Sequence, residues 1–100
     1  MIFVAGYLML DPAHVDAFEK AASALADGVR KEDGCVHYSL LVEDRATGRI
    51  NVLEMWRDEA ALHVHLALPH IVEFANRFVP HISGGTAQVY DAVNPRALNH

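Results

Sequence analysis

Only one cysteine, Cys35, occurs in the 100 residues. A lone thiol allows no intrachain disulfide and no CxxC metal site, and it suits a reducing compartment. Positive charge is scarce as well, with eight Lys and Arg against thirteen Asp and Glu and a formal charge of −5. Without a basic stripe, contact with a phosphate backbone has no electrostatic driving term, so nucleic acid is not an expected partner. Long hydrophobic runs are missing too. The longest near the start, Ile2 to Leu10, is too short to span a bilayer and lacks a basic leader or a small-residue cleavage site. The expectation is a cytoplasmic protein with no membrane partner. Repeats, low-complexity tracts and internal linkers are absent, and the length suits one domain over residues 1–93 followed by a polar tail, 94–100.

What is present is an apolar fraction of 52%, enough for a packed core and high for a short chain. Ile2 to Leu10 reads as a strand, rich in β-branched and aromatic residues and ended by Asp11-Pro12. Asp11 suits an N-cap and Pro12 a first helical position. Val15, Phe18, Ala22, Leu25 and Val29 then recur at helical spacing up to Asp33-Gly34. Cys35 to Glu43 and Ile50 to Arg57 read as two strands joined by a hairpin loop at 44–48. Asp58 caps a helix that carries Ala61, Leu62 and His65, Pro69 interrupts it, and Ile71, Phe74 and Phe78 continue the pattern to Pro80. Gly84-Gly85 opens a last strand, Thr86 to Val93.

This order predicts an α+β, ferredoxin-like split βαβ fold with a four-stranded antiparallel sheet and its helices on one face. Strand alternation places Val36, Tyr38, Leu40 and Val42 on one face, with Cys35, His37, Ser39 and Leu41 on the other. In the next strand Ile50, Val52, Glu54 and Trp56 alternate with Asn51, Leu53 and Met55. Neither face is cleanly polar. Both are therefore expected to be covered, one by helices and the other by a second subunit, giving a homodimer of dimeric α/β-barrel type.

Three stretches carry a resemblance. Gly34-Cys35-Val36-His37-Tyr38 resembles a GC-x-x-Y strand start, and Glu54 to Leu62 an E-x-W-x-D-x-x-A-L run. His65, Pro69-His70 and Phe74 resemble an H-x-x-x-P-H-x-x-x-F stretch, and Tyr90 stands where a last-strand aromatic is usual. These features, in this order, resemble the antibiotic biosynthesis monooxygenase family of dimeric ferredoxin-like proteins. The resemblance implies oxidation of a quinol-like or polyphenolic aromatic by dioxygen without a cofactor. Relatives of the same fold degrade haem or isomerise a sugar phosphate, so fold does not choose the chemistry. A non-catalytic dimer that binds aromatics and a proton-transfer isomerase or cyclase remain alternatives. The haem-degrading pattern fits poorly: the first strand offers Ala5 or Gly6 where those relatives have Asn, His65 stands at their Trp, and Ala75 at their ligand His.

Cofactor-free oxygenation needs an apolar cavity, a proton acceptor and one or two polar groups to hold the ring. His65 is the first candidate for the acceptor, because imidazole exchanges protons near neutral pH; its bland counterpart is a buried histidine satisfying a neighbour. Two readings of Glu54 stand: a carboxyl on an apolar face acting as a base or pairing with His65 or His70, or an ion pair to Arg57 or Arg77. Trp56 either stacks on a planar substrate or fills the core. Tyr38, Asn51 and His70 are candidates for substrate binding, with Asn51 alternatively meeting the partner subunit and His70 orienting the helix junction. His63, His65 and His70 lack ligand spacing, and no HExxH occurs, so no metal is expected.

Overall fold

The computed structural model describes residues 1–99; His100, the end of the expected polar tail, lies outside the described residues. Five strands and three α-helices follow in the order β1 (Ile2–Leu10), α1 (Val15–Arg30), β2 (Cys35–Asp44), β3 (Arg49–Trp56), α2 (Glu59–Ala67), α3 (Pro69–Phe78), β4 (Ile82–Gly85) and β5 (Gln88–Asp91). The sheet runs β2-β3-β1, with β4 and β5 both paired to the far edge of β1, and every pairing is antiparallel. This is the ferredoxin-like α+β arrangement. No helix among the described residues is long and apolar enough to cross a membrane.

Local chemistry explains the boundaries. Asp11 does cap, but it caps a 3-10 turn at Pro12–His14, accepting from the Ala13 N–H at 3.0 Å, and α1 begins only after it. Asp58 caps α2 through the Ala61 N–H at 2.8 Å. Pro69 starts α3 after Leu68, whose extended backbone ends α2, because a residue before proline is driven out of the helical region.

Two sequence expectations need correction. The last strand is not continuous: it begins earlier, at Ile82, and is interrupted at Thr86-Ala87. There the chain presses against Gly6 of β1, whose φ of +138° and missing Cβ make room; a Cβ would lie 2.5 Å from the Thr86 carbonyl oxygen. The faces of β2 also shift. A bulge between Cys35 and His37 pairs Cys35 with Trp56, so Cys35 joins the core and Val36 turns outward.

From Tyr38 to Val42 the alternation holds, until a second bulge before Asp44. On the helix-facing side Tyr38, Glu54 and Val4 lie side by side on β2, β3 and β1, followed by Leu40, Val52 and Gly6. The opposite side carries the rows His37-Met55-Phe3-Tyr90, Ser39-Leu53-Ala5-Gln88 and Leu41-Asn51-Tyr7. Among the described residues no helix packs on this second side; Arg49 lies over the Tyr7 ring, and Val93 and Pro95 of the tail flank Phe3. The molecule is 21 Å thick along its short axis, about the depth of one sheet plus one helix layer.

Candidate active site

The core falls into two clusters. One gathers Ile2, Val29, Tyr38, Trp56, Leu62 and Ile71, the other Leu10, Val15, Phe18, Ile50 and Phe78, and Leu40 packs against both. Between them, under the helices, lies a cavity of about 260 Å³. Tyr38, Glu54 and His65 supply its polar lining, and Phe18, Phe74 and Phe78 form an aromatic wall. The three phenyl rings pack with centroids 5.1–5.4 Å apart. Leu66 and Val79, both exposed, stand at the rim.

The fold brings the polar trio together from three elements. Tyr38 and Glu54 face each other across β2 and β3, both pointing to the helices. His65 follows Leu62 by three residues and Ala61 by four, so all three share the buried face of α2. Its ring lies 4.6 Å from the Trp56 ring and 5.8 Å from that of Tyr38. Nε2 of His65 is 4.0 Å from Glu54 Oε1, beyond hydrogen-bond reach. Glu54 Oε1 instead accepts from the Trp56 indole N–H at 3.1 Å.

Sequence reasoning missed a fourth residue, Glu32. Its carboxylate straddles Nδ1 of His65 at 3.0 and 3.1 Å. The carboxylate cannot donate, so Nδ1 carries the proton and Nε2 is the free acceptor. Glu32 sits in the turn between α1 and β2 and is held at both ends: its N–H donates to Val29 and its carbonyl accepts from Cys35. Those two bonds set the backbone position from which the carboxylate reaches His65. No spacing rule links an acidic turn residue to a histidine 33 positions later, so only a three-dimensional view finds it.

Burial pushes the Glu54 carboxyl above the usual carboxylate range; the Glu32 charge adds to this, while the Trp56 N–H and His65 oppose it. Tyr38 is held protonated far above the usual phenol range, first by burial and then by the Glu54 and Glu32 charges. The thiol of Cys35 is raised by the same causes. The site thus offers a neutral phenol that can donate, an imidazole nitrogen that can accept, and apolar walls.

Three of the residues singled out from sequence sit elsewhere or act differently. Trp56 is wholly buried and does not line the cavity; it anchors Glu54 rather than stacking on a ligand. Asn51 is exposed on the opposite side of the sheet, because its odd position in β3 points it away from the helices. His70 is exposed at the start of α3, on the outer surface between α1 and α3. The Arg partners suggested for Glu54 are likewise occupied elsewhere: Arg57 makes a two-pronged pair with Asp33 at 3.1 and 3.2 Å, and Arg77 lies over the Phe78 ring. Among the described residues no three His, Cys, Asp or Glu side chains converge as a metal ion would require.

Comparison with known proteins bears on this arrangement. The family model described as Antibiotic biosynthesis monooxygenase matches residues 1–77. The chain belongs to that family. All four site residues, Glu32, Tyr38, Glu54 and His65, fall within the matched segment. The antibiotic biosynthesis monooxygenase fold is seen in a protein of Deinococcus radiodurans provisionally assigned to the same family, which superposes with a TM-score of 0.83 at 25% identity over 100% of both chains. YcnE of Bacillus subtilis, provisionally named a monooxygenase, is 30% identical over 74 residues, 74% of this chain and 78% of that one. An uncharacterized protein of Synechocystis, sll1783, is 29% identical over 76 residues, 76% of this chain. The match spans about half of the Synechocystis protein, 52% of its length.

Proposed function

We propose that the protein is a cofactor-independent monooxygenase that oxidises a quinol-like or polyphenolic aromatic with dioxygen. The observation that carries this reading is the Glu32–His65 pair, with Nδ1 held at 3.0 Å and the ring set in the wall of an apolar cavity. A phenolic substrate in the cavity gives its proton to Nε2, and Glu32 stabilises the imidazolium that forms. Tyr38 donates to a substrate oxygen. The ring anion then passes one electron to dioxygen, and the ring radical and superoxide combine at a ring carbon as a peroxide. The peroxide anion takes back the proton from His65, and loss of water from it leaves a carbonyl, so the ring CH2 of the substrate's keto form and O2 become C=O and H2O. Apolar walls favour the electron transfer step by excluding competing proton donors.

Family membership supports monooxygenation, and the apolar, partly aromatic lining of the cavity supports an aromatic ligand. The test is dioxygen uptake by purified protein with a panel of naphthoquinols and anthrones and no added cofactor. Uptake is expected to fall roughly 100-fold or more in His65→Ala. Glu32→Gln, which keeps an acceptor for Nδ1 but removes the charge, is expected to lose roughly 10–100-fold in kcat with little change in KM. No uptake above the buffer rate with any substrate sinks the oxygenase. Product formed without dioxygen would instead identify a proton-transfer isomerase, which the same pair of residues could serve, and saturable binding without product a ligand-binding protein.

The proposal includes a homodimer formed through the second side of the sheet. This reading rests on the apolar rows found there.

A further inference from the structure

A cavity of about 260 Å³ limits its occupant. An apolar cavity of roughly 150 Å³ takes one benzene ring, so this one takes about two fused rings. A larger aromatic must extend beyond it. One outlet is the rim at Leu66 and Val79, which offers only aliphatic side chains and open solvent.

A second concavity lies on the far side of Phe74. A groove of about 340 Å³ runs between α1 and α3, lined by Ala21, Ala24 and Leu25 on one side and His70, Glu73 and Arg77 on the other. Phe74 lines both this groove and the inner cavity. Phe74 is the outermost ring of the aromatic wall, half-buried, whereas Phe18 and Phe78 are only 3% and 2% exposed. Opposite it α1 presents the small side chains of Ala21 and Ala24, so its ring has space into which to turn. Partly exposed side chains of this kind change rotamer without backbone movement.

We propose that the α1/α3 groove is a second subsite for the ligand of the inner cavity. It takes the outer ring or polar substituent of an extended aromatic, and Phe74 is the movable wall between the two spaces. The proposal rests on the reading that the cavity holds a phenolic aromatic. The floor of the groove is apolar and its edge carries an imidazole, a guanidinium and a carboxylate, a lining suited to a ring bearing hydroxyl or carbonyl groups. His70 thereby has a place at the outer end of an extended ligand, although it does not reach the inner cavity.

The test is binding of two probes in the absence of dioxygen, 2-naphthol with two rings and 1-hydroxyanthraquinone with three, followed by quenching of the single tryptophan, Trp56. Ala24 is exposed, so Ala24→Phe fills the groove without touching the core. It is expected to weaken the three-ring probe about tenfold or more, equivalent to roughly 1.4 kcal/mol, and to leave 2-naphthol unchanged. Phe74→Ala is expected to tighten the three-ring probe selectively. Unchanged binding of hydroxyanthraquinone in Ala24→Phe, or equal weakening of both probes, overturns the subsite. Selective weakening together with no dioxygen uptake would reject the oxygenase and retain the subsite. Uptake with no selectivity between probes would do the reverse.

Discussion

Glu54 is a carboxyl in a place that disfavours its charge. It is 9% exposed, and its carboxylate receives one N–H, from Trp56. Because its folded pKa is raised, it favours the folded state most when protonated. That contribution is complete below the ordinary glutamate value, roughly 4.3, and is lost as pH rises through the folded value. Glu54→Gln keeps an oxygen for the indole N–H and removes the charge. The variant is expected to be more stable than the parent at pH 7 by about 1 kcal/mol, with the two converging towards pH 4. Thermal melts across that range would show it, and a parent that gains on the variant as pH rises would contradict the assigned cause. Sequence alternation was enough to put Glu54 on one side of its strand with Val52 and Trp56, and Tyr38 on one side of its own with Leu40 and Val42, but not to say which side meets the helices. It could not say whether Glu54 meets His65, an arginine or the indole, since those contacts depend on how α2 lies over the sheet. Glu32 was harder still, being a turn residue whose role depends on a distant helix.

At the scale of elements, α1, the hairpin strands and the split second helix were all legible from period, turn residues and the break at Pro69, although the Asp11 cap marks a 3-10 turn and not the start of α1. The break between β4 and β5 was not, because it arises from close approach between two backbones. Gly6 and Thr86 lie 80 positions apart, and nothing around Gly6 distinguishes it from any strand glycine. The geometry makes Gly6→Ala costly on two counts: a φ of +138° that a side chain resists, and a Cβ only 2.5 Å from the Thr86 oxygen. The expected loss is at least about 2 kcal/mol in denaturant unfolding, with earlier hydrogen exchange at Thr86, whose N–H bonds the Tyr7 carbonyl. A near-neutral Gly6→Ala would mean that the last strand segments move away from β1 at little expense. Since Ala87 lines the cavity, the same substitution is also expected to loosen ligand binding.

For the molecule as a whole, the question is what covers the second side of the sheet. The chain exposes 6536 Å², whereas a monomer of 11.0 kDa is expected to expose roughly 5,600 Å². The excess, about 900 Å², resembles the roughly 800 Å² that each partner buries in a standard interface. Part of it belongs to the extended tail, where Val93 and Leu98 are exposed, and part to the second side of the sheet, where Leu41 and Tyr90 are exposed and Phe3, Tyr7 and Met55 half-buried. Both sides of each strand looked apolar in the sequence, and only one of them is buried within the chain. A second copy placed face to face would bury the other. Leu41 offers a clean test because it is 62% exposed in the isolated chain, so a charge there costs the subunit fold little. Light scattering at micromolar concentration is expected to give a mass of about 22 kDa, twice the 11.0 kDa chain, and Leu41→Glu to shift it towards the monomer while the far-UV spectrum is kept. A parent that is already monomeric would reject the interface. A dimer indifferent to Leu41→Glu and to a second charge at Met55 would place it on another surface.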